Sequence, residues 1–359
     1  MPVRKHPTPV RFRALVLALL LAAISCLSPA GVRGEEPEAA PAEVPADTAP
    51  ASFDDGVPRC YTPADLPVYE PVYLENLTPE PLPLDGKTPY APHPGAFLPD
   101  NGGYVDSTLS VKIDTRTLGK TKVLFAWVTI ADPSQLRTTT YRPFPSKAIG
   151  LVDAMAKRER AVLALNADWF MSEEKVTRGV IYRNGKLLRE KDFGVYDALV
   201  IDDAGDLHIV RHAAVEDLAP WEGHILQSFV FGPGLVIDGE LVQVYEDNEL
   251  DRWAIRHSGG NKATQRCVLC QMDTLSYLVI VSEGPEQVSG AGFKINEMAQ
   301  LAYDMGAVQA FNLDGGSSAW LVLGEKRVNT RDRNHKKRLV GDMLYFVTAE
   351  PDAAGDLPE

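Results

Sequence analysis

The chain has 359 residues, with 49 acidic against 36 basic side chains and a formal charge of −13, so it is an acidic polypeptide long enough for one large domain. Such a body is a poor partner for nucleic acid or an anionic membrane surface, which are held by basic patches. A phosphorylated ligand would have to be met by local positive charge.

Residues 1–30 read as a secretory signal peptide. Arg4, Lys5, Arg11 and Arg13 give a basic lead, and residues 14–27 form an apolar stretch too short to span a bilayer, followed by small residues. Cleavage is expected near 28–30 or 32–34, with lipid attachment at Cys26 the less favoured route. Losing these thirty residues removes four basic side chains and no acidic one, taking the charge from −13 to −17. No later stretch is long and apolar enough for a membrane helix, so a periplasmic or extracellular protein is expected. Residues 31–55 are acidic and rich in proline and alanine, the composition of a disordered tether. Residues 56–104 read as an extended proline-rich arm, 105–349 as the globular domain, and 350–359 as a tail.

Within the domain, alternation at 108–113 and a longer apolar run at 122–130 predict strands, and 148–158 a helix. Residues 161–165 form a buried strand that ends at Asn166 and Asp168. A hairpin is expected over 179–188, because Asn184-Gly185 suits a type I′ turn. Strand pairs follow at 198–202 with 207–210, at 231–242 around Asp238-Gly239, and at 265–273 with 277–281. Asn296 can cap a helix reaching Met305, with Met298, Leu301, Ala302 and Met305 as its apolar stripe and Gly306 at C′. Residues 308–313 then form a buried strand with Asp314 at its exit. Many hairpins and few helices predict an α+β fold, a large mainly antiparallel sheet with a few packed helices in a single domain.

The exit of that last strand carries the richest chemistry. Asp314 is followed by Gly315, Gly316, Ser317 and Ser318, which combine a carboxylate, close-approaching backbone amides and hydroxyls in one turn. That combination suits an anionic, polyhydroxylated ligand, although an Asp-Gly turn also occurs without any ligand. Asn312 and Asp314 share strand parity and so one face. Cys267 and Cys270 lie on one strand and point to opposite faces, so they are expected as buried thiols unless one bridges to Cys60. No cofactor is expected, and no spacing supports a metal. His208, His212 and His257 read as loop or surface residues, and Ser317 and Ser318 lack the setting of a serine nucleophile. The basic run 331–338 reads as a solvated loop, with lining of the site rim for anionic substrates as the less favoured alternative.

The order of these motifs resembles the phosphodiester glycosidase family over residues 107–347. Asn-Leu-Asp-Gly-Gly-Ser-Ser at 312–318 is similar to that family's Asn-Leu-Asp-Gly-Gly-Gly-Ser-Ser, and Leu-Asn-Ala-Asp-Trp-Phe at 165–170 to its strand-end motif. The segments 179–185 and 231–239, and Arg266 at the head of a strand, fall in the family's order. The chain departs from the pattern at Cys267, Cys270, Pro285, Ser317 and Trp320. The resemblance implies a glycosidase acting on a sugar-1-phosphodiester or related linkage in an extracellular or envelope glycan. The alternative is a carbohydrate-binding protein that keeps the fold without turnover. Glycosidases work with paired carboxylates, and Asp314 and Asp168, each closing a buried strand beside an asparagine, are the implied pair, with Glu283 third. Arg266 is then either a bidentate phosphate clamp or half of a buried ion pair with an aspartate. Asn166 and Asn312 bind sugar hydroxyls or brace loops, and Trp320 stacks on a sugar or fills core. Oligomeric state is not readable.

Overall fold

The computed structural model describes residues 55–70, 72–86, 88, 90–168, 178–330 and 338–351. The expected signal peptide, the tether up to residue 54, Trp169, Phe170 and residues 331–337 lie outside the described residues. In chain order the elements begin with β1 (Phe97–Leu98), β2 (Gly103–Val105), β3 (Leu109–Leu118), β4 (Thr121–Ile130), β5 (Leu136–Thr140), α1 (Val152–Arg158) and β6 (Leu163–Asn166). They continue through β7 (Ile181–Arg183), β8 (Lys186–Arg189), β9 (Ala198–Asp202), β10 (Leu207–Val210), β11 (Ile225–Phe229), β12 (Gly234–Ile237), β13 (Glu240–Leu241) and α2 (Glu249–Ser258). The remainder is β14 (Arg266–Asp273), β15 (Ser276–Ser282), α3 (Ile295–Asp304), β16 (Gln309–Leu313), β17 (Leu321–Leu323), β18 (Lys326–Arg327) and β19 (Asp342–Phe346).

A nine-stranded sheet runs β1-β2-β3-β4-β15-β14-β16-β12-β13, and a five-stranded sheet runs β18-β17-β6-β19-β5. All neighbours in both are antiparallel. The large sheet uses both faces. Leu124, Leu269, Val279, Phe311 and Leu313 point into a core shared with Leu163, Leu165, Leu321, Leu344 and Phe346 of the smaller sheet. The alternate residues Phe125, Val268, Ile280 and Ala310 pack beneath Met298, Leu301 and Ala302 of α3. The far face of the smaller sheet is covered by Met155 and Ala156 of α1. Helix, sheet, sheet and helix therefore form four layers, and strands buried on both faces read as unbroken apolar runs. This is the α+β, mainly antiparallel architecture that the hairpin signals predict.

Three local readings shift. The first helix starts at Val152 rather than 148, because Gly150 pairs with Val340 and lies against the Tyr141 ring, where a Cβ would sit 2.0 Å from a ring carbon. Lys294, not Asn296, occupies the N-cap of α3, and Glu297 Oε2 accepts the Lys294 N–H at 2.7 Å. Asn296 is spent on tertiary contact instead, bonding both the N–H and the carbonyl of Val244 at 3.0 and 2.9 Å. Helix α2 was not foreseen, although Asn248 caps it through Leu250 N and Gly259 closes it at φ +61. The Asn184-Gly185 turn has positive φ at both residues, as a type I′ turn requires. Among the described residues no helix is long and apolar enough to cross a membrane.

Candidate active site

β14 begins, and β15 and β16 end, at the same end of the large sheet, since Arg266 faces Ser282 and Cys267 faces Leu313. There the last strand meets the smaller sheet. The Asp314 N–H donates to the carbonyl of Ala167 at 3.2 Å. Asn166, at the end of β6, fastens the junction from both sides: Nδ2 donates to Asp314 O at 2.5 Å, and Oδ1 accepts from Trp320 N at 2.9 Å. Two residues on, Asp168 accepts the Val230 N–H on Oδ2 at 2.9 Å. Asn312 is wholly buried one pleat behind Asp314 and donates to Gly232 O at 2.8 Å, which braces the loop that presents Val230. Thus Asp314, Asp168 and Asn166, separated by up to 148 positions, converge where the two sheets join.

Electrostatics set the aspartates apart from ordinary surface carboxylates. Burial raises Asp314 to about 6, against the Ser318 hydroxyl and the Arg338 guanidinium, and the nearby charge of Asp168 adds to the rise. Arg338 donates to Ser318 Oγ at 3.0 Å, so this hydroxyl links the cation to Asp314. A third aspartate, Asp342, opens β19 with no solvent exposure. Burial pushes its carboxyl up, against Arg183 at 2.6 Å, and Asp168 adds to the push. Arg183 also donates to Ser228 O at 2.5 Å and lies 4.7 Å over the Phe229 ring. Burial in turn lowers Arg189, whose surroundings include the charges of Asp168 and Asp342.

Other expectations change place. Arg266 is no clamp and no ion pair: it shares the pleat of Val268 and Cys270 and so faces the helical layer. The residue is 1% exposed, and its guanidinium donates to the carbonyls of Phe293, Ser258, Gly259 and Lys262 at 2.7–3.1 Å. These bonds close the C-terminus of α2 and the loop after it. Glu283 stands at the right sheet end, where its Oε1 accepts from Thr330 N at 3.1 Å and lies 3.6 Å from Lys122 Nζ. It holds the 328–330 loop to the sheet. Gly316, at φ +57, gives its N–H to Gln265 O at 2.9 Å, and a Cβ on Gly315 would lie 2.6 Å from that same oxygen. The two glycines therefore let the turn press against β14; Ser317 is partly exposed there and Ser318 is buried. Trp320 is core, 1% exposed under Arg327 at 4.1 Å, and offers no stacking platform. Cys267 and Cys270 face opposite cores as free thiols, and Cys60 is free as well.

Sequence reasoning missed Asp342 and Arg183, held Arg338 only as part of a basic run whose favoured reading was a solvated loop, and misread His257. The first two occupy hydrophobic-looking strand contexts with no motif of their own. His257 is no surface residue. Its ring packs 4.8 Å from Tyr196 and 4.5 Å from Phe231, the residue after Val230, and burial lowers it to about 4. The unread helix α2 concealed it.

A family described as phosphodiester glycosidase matches residues 159–347, a stretch that holds Asp168, Arg183, Asp314 and Asp342. An uncharacterised SPbeta prophage-derived protein, YomE of Bacillus subtilis (strain 168), is 27% identical over 183 residues, which cover 49% of this chain and 26% of that protein. The chain thus matches about a quarter of the length of this curated relative. Among solved structures, the catalytic domain of zebrafish N-acetylglucosamine-1-phosphodiester alpha-N-acetylglucosaminidase, auto-inhibited by its pro-peptide, superimposes with a TM-score of 0.54 at 18% identity, covering 73% of this chain and 87% of that one. A hypothetical protein from Synechocystis gives 0.50 at 14% identity, covering 67% and 62%. These two share the fold.

Proposed function

The chain belongs to the phosphodiester glycosidase family, and we propose that it is an exported hydrolase that cleaves a sugar-1-phosphodiester in an extracellular or envelope glycan. The observation that carries this reading is the meeting of Asp314 and Asp168 at the junction of the two sheets, through Asp314 N to Ala167 O and Asn166 to Asp314 O. A phosphomonoester leaves readily, so the reaction asks little of a general acid. Its demands are stabilisation of positive charge developing at the anomeric carbon and delivery of an oxygen nucleophile. Asp314, ionised above about pH 6, supplies the carboxylate that activates water or attacks that carbon. Asp168, oriented by the Val230 N–H, stabilises the oxocarbenium-like charge. Water ends on the sugar carbon and the phosphate departs with the bridging oxygen. Arg338, joined to Asp314 through Ser318, is the cation best placed to meet the substrate phosphate. Arg266 and Glu283 take no chemical step.

The test is an assay of the mature protein on nucleoside-diphosphate sugars and aryl sugar phosphodiesters, with a glycan array in parallel. Release of free sugar is expected, falling by roughly a thousandfold in Asp314→Asn and Asp168→Asn. Proton NMR of the first-formed anomer separates activated water from direct attack. Binding across the panel without turnover would instead favour a carbohydrate-binding protein built on the same fold.

A further inference from the structure

At the same end of the large sheet, but beyond β4, lies a cavity of about 350 Å³ that none of the chemistry above uses. Its volume falls in the range of small-molecule sites, roughly 300–1,000 Å³. The arm contributes Cys60, the β3–β4 turn contributes Lys120, the segment leading into α3 contributes Gly290 and Lys294, and α3 itself contributes Glu297 and Gln300.

Gln300 is the informative residue. It is 5% exposed, and its Nε2 donates to Asp304 Oδ1 at 2.9 Å. Asp304 also accepts Arg59 Nε and Nη2 at 2.6 and 2.9 Å and the Tyr61 hydroxyl at 2.9 Å. As a carboxylate so engaged it offers Gln300 only acceptors, which fixes the amide with its nitrogen toward Asp304. The other end, Oε1, has no hydrogen-bond partner among the described residues, on a side chain that lines the cavity. A buried acceptor left without a donor is costly, so a ligand that brings a donor to this oxygen gains by it. The charge around it is also distinctive. The Lys120 ammonium lies over Gly290, where a Cβ would be 3.9 Å from Nζ, and Lys294 occupies the N-cap of α3. Two lysines and the amide end of a ten-residue helix outweigh Glu297, one of whose oxygens is already held by Lys294 N. In a chain of formal charge −13 this is a locally cationic niche.

We propose that this cavity is a second ligand site, which takes a monosaccharide bearing one anionic group, phosphate or carboxylate. The anion meets Lys120, Lys294 and the first turn of α3, and a sugar hydroxyl donates to Gln300 Oε1. A bare anion satisfies the cations and leaves Gln300 unpaired, whereas a neutral sugar does the reverse. The inference is independent of the catalytic reading of the aspartates.

Isothermal titration calorimetry on the mature chain carrying Asp314→Asn tests it, with glucose 6-phosphate, glucuronate, glucose and inorganic phosphate as probes. At least one anionic sugar is expected to bind, and the one that binds identifies the anion; glucose and phosphate alone are each weaker by roughly tenfold. Lys120→Ala, an exposed change that spares the fold, and Gln300→Leu should each weaken the anionic sugar by roughly tenfold, while Arg338→Ala leaves it unchanged. Failure of both anionic sugars to bind, equal binding of inorganic phosphate, or indifference to Lys120→Ala would overturn the site. Loss of binding in Arg338→Ala would move the ligand to the aspartates and overturn it equally.

Discussion

A carboxylate raised to about 6 by burial works against the fold it belongs to. An unfolded aspartate titrates near 3.8, so the folded form of Asp314 binds its proton more tightly. The associated stability is fully present below about pH 4 and lost as pH rises through about 6. Asp314→Asn should therefore raise the melting temperature at pH 7.5 and leave it nearly unchanged at pH 4, while hydrolysis falls by roughly a thousandfold; a lower melting temperature at pH 7.5 would contradict this. In the native protein kcat/KM should fall on the acid side with an apparent pKa near 6, because the ionised carboxylate is the working form. Arg266 is predicted to behave oppositely. Arg266→Ala removes a donor from four carbonyls. Gly259 O and Phe293 O keep the N–H groups of Lys262 and Thr264, but Ser258 O is left unpaired in the interior, at a cost of about 1–3 kcal/mol, and the packing of a fully buried side chain is lost as well. Thermal denaturation should show a large loss, while kcat/KM measured well below the melting point stays near the native value. Its place among apolar strand residues was legible, but the carbonyls that claim it come from α2 and the turn before α3. No local pattern reveals them.

At the scale of elements, a buried ion pair helps to fasten the β7–β8 hairpin. Arg183 leaves β7 to reach Asp342 at the head of β19, and Asn184 and Gln227 tie the turn to Thr138 of β5 through bonds of 2.5–2.9 Å. Arg183→Met should cost about 3–5 kcal/mol, since it strands an unpaired buried charge, whereas Arg183→Met with Asp342→Asn should recover most of it. Chemical denaturation of the three variants measures both numbers, and an additive double mutant would show that the two residues do not act as a pair. The hairpin itself was readable, because Asn184-Gly185 demands positive φ. Its partner was not. β19 is buried at every position, so it shows no alternation, and nothing near Asp342 marks it as acidic core rather than strand cap. The same holds for α2: its caps stand in the sequence, but Trp253 and Leu250 are exposed and blur its apolar stripe.

Over the whole molecule, the site depends on two sheets that belong to different layers and touch at few polar points. Asp314 ends a strand of the large sheet, while Asp168 and Asp342 belong to the small one, so their spacing is set by how the sheets pack rather than by either strand. This is why the residues were legible and the junction was not: side-chain types lie along the chain, but the junction exists only after the shared core has formed. Asn166 is the polar fastening at that junction. Asn166→Ala removes the donor to Asp314 O and the acceptor for Trp320 N, and leaves the apolar interface between the layers intact. The melting temperature should fall moderately, by the worth of two buried hydrogen bonds, about 1–3 kcal/mol in all. The kcat should fall far more than that loss of stability implies, because a shift of about 1 Å between the carboxylates can cost roughly a hundredfold. KM should move less, since Asn166 makes no contact with Arg338, the cation proposed to meet the phosphate. If kcat is retained while stability drops, the sheets hold their register without this amide, and the apolar core alone positions the pair.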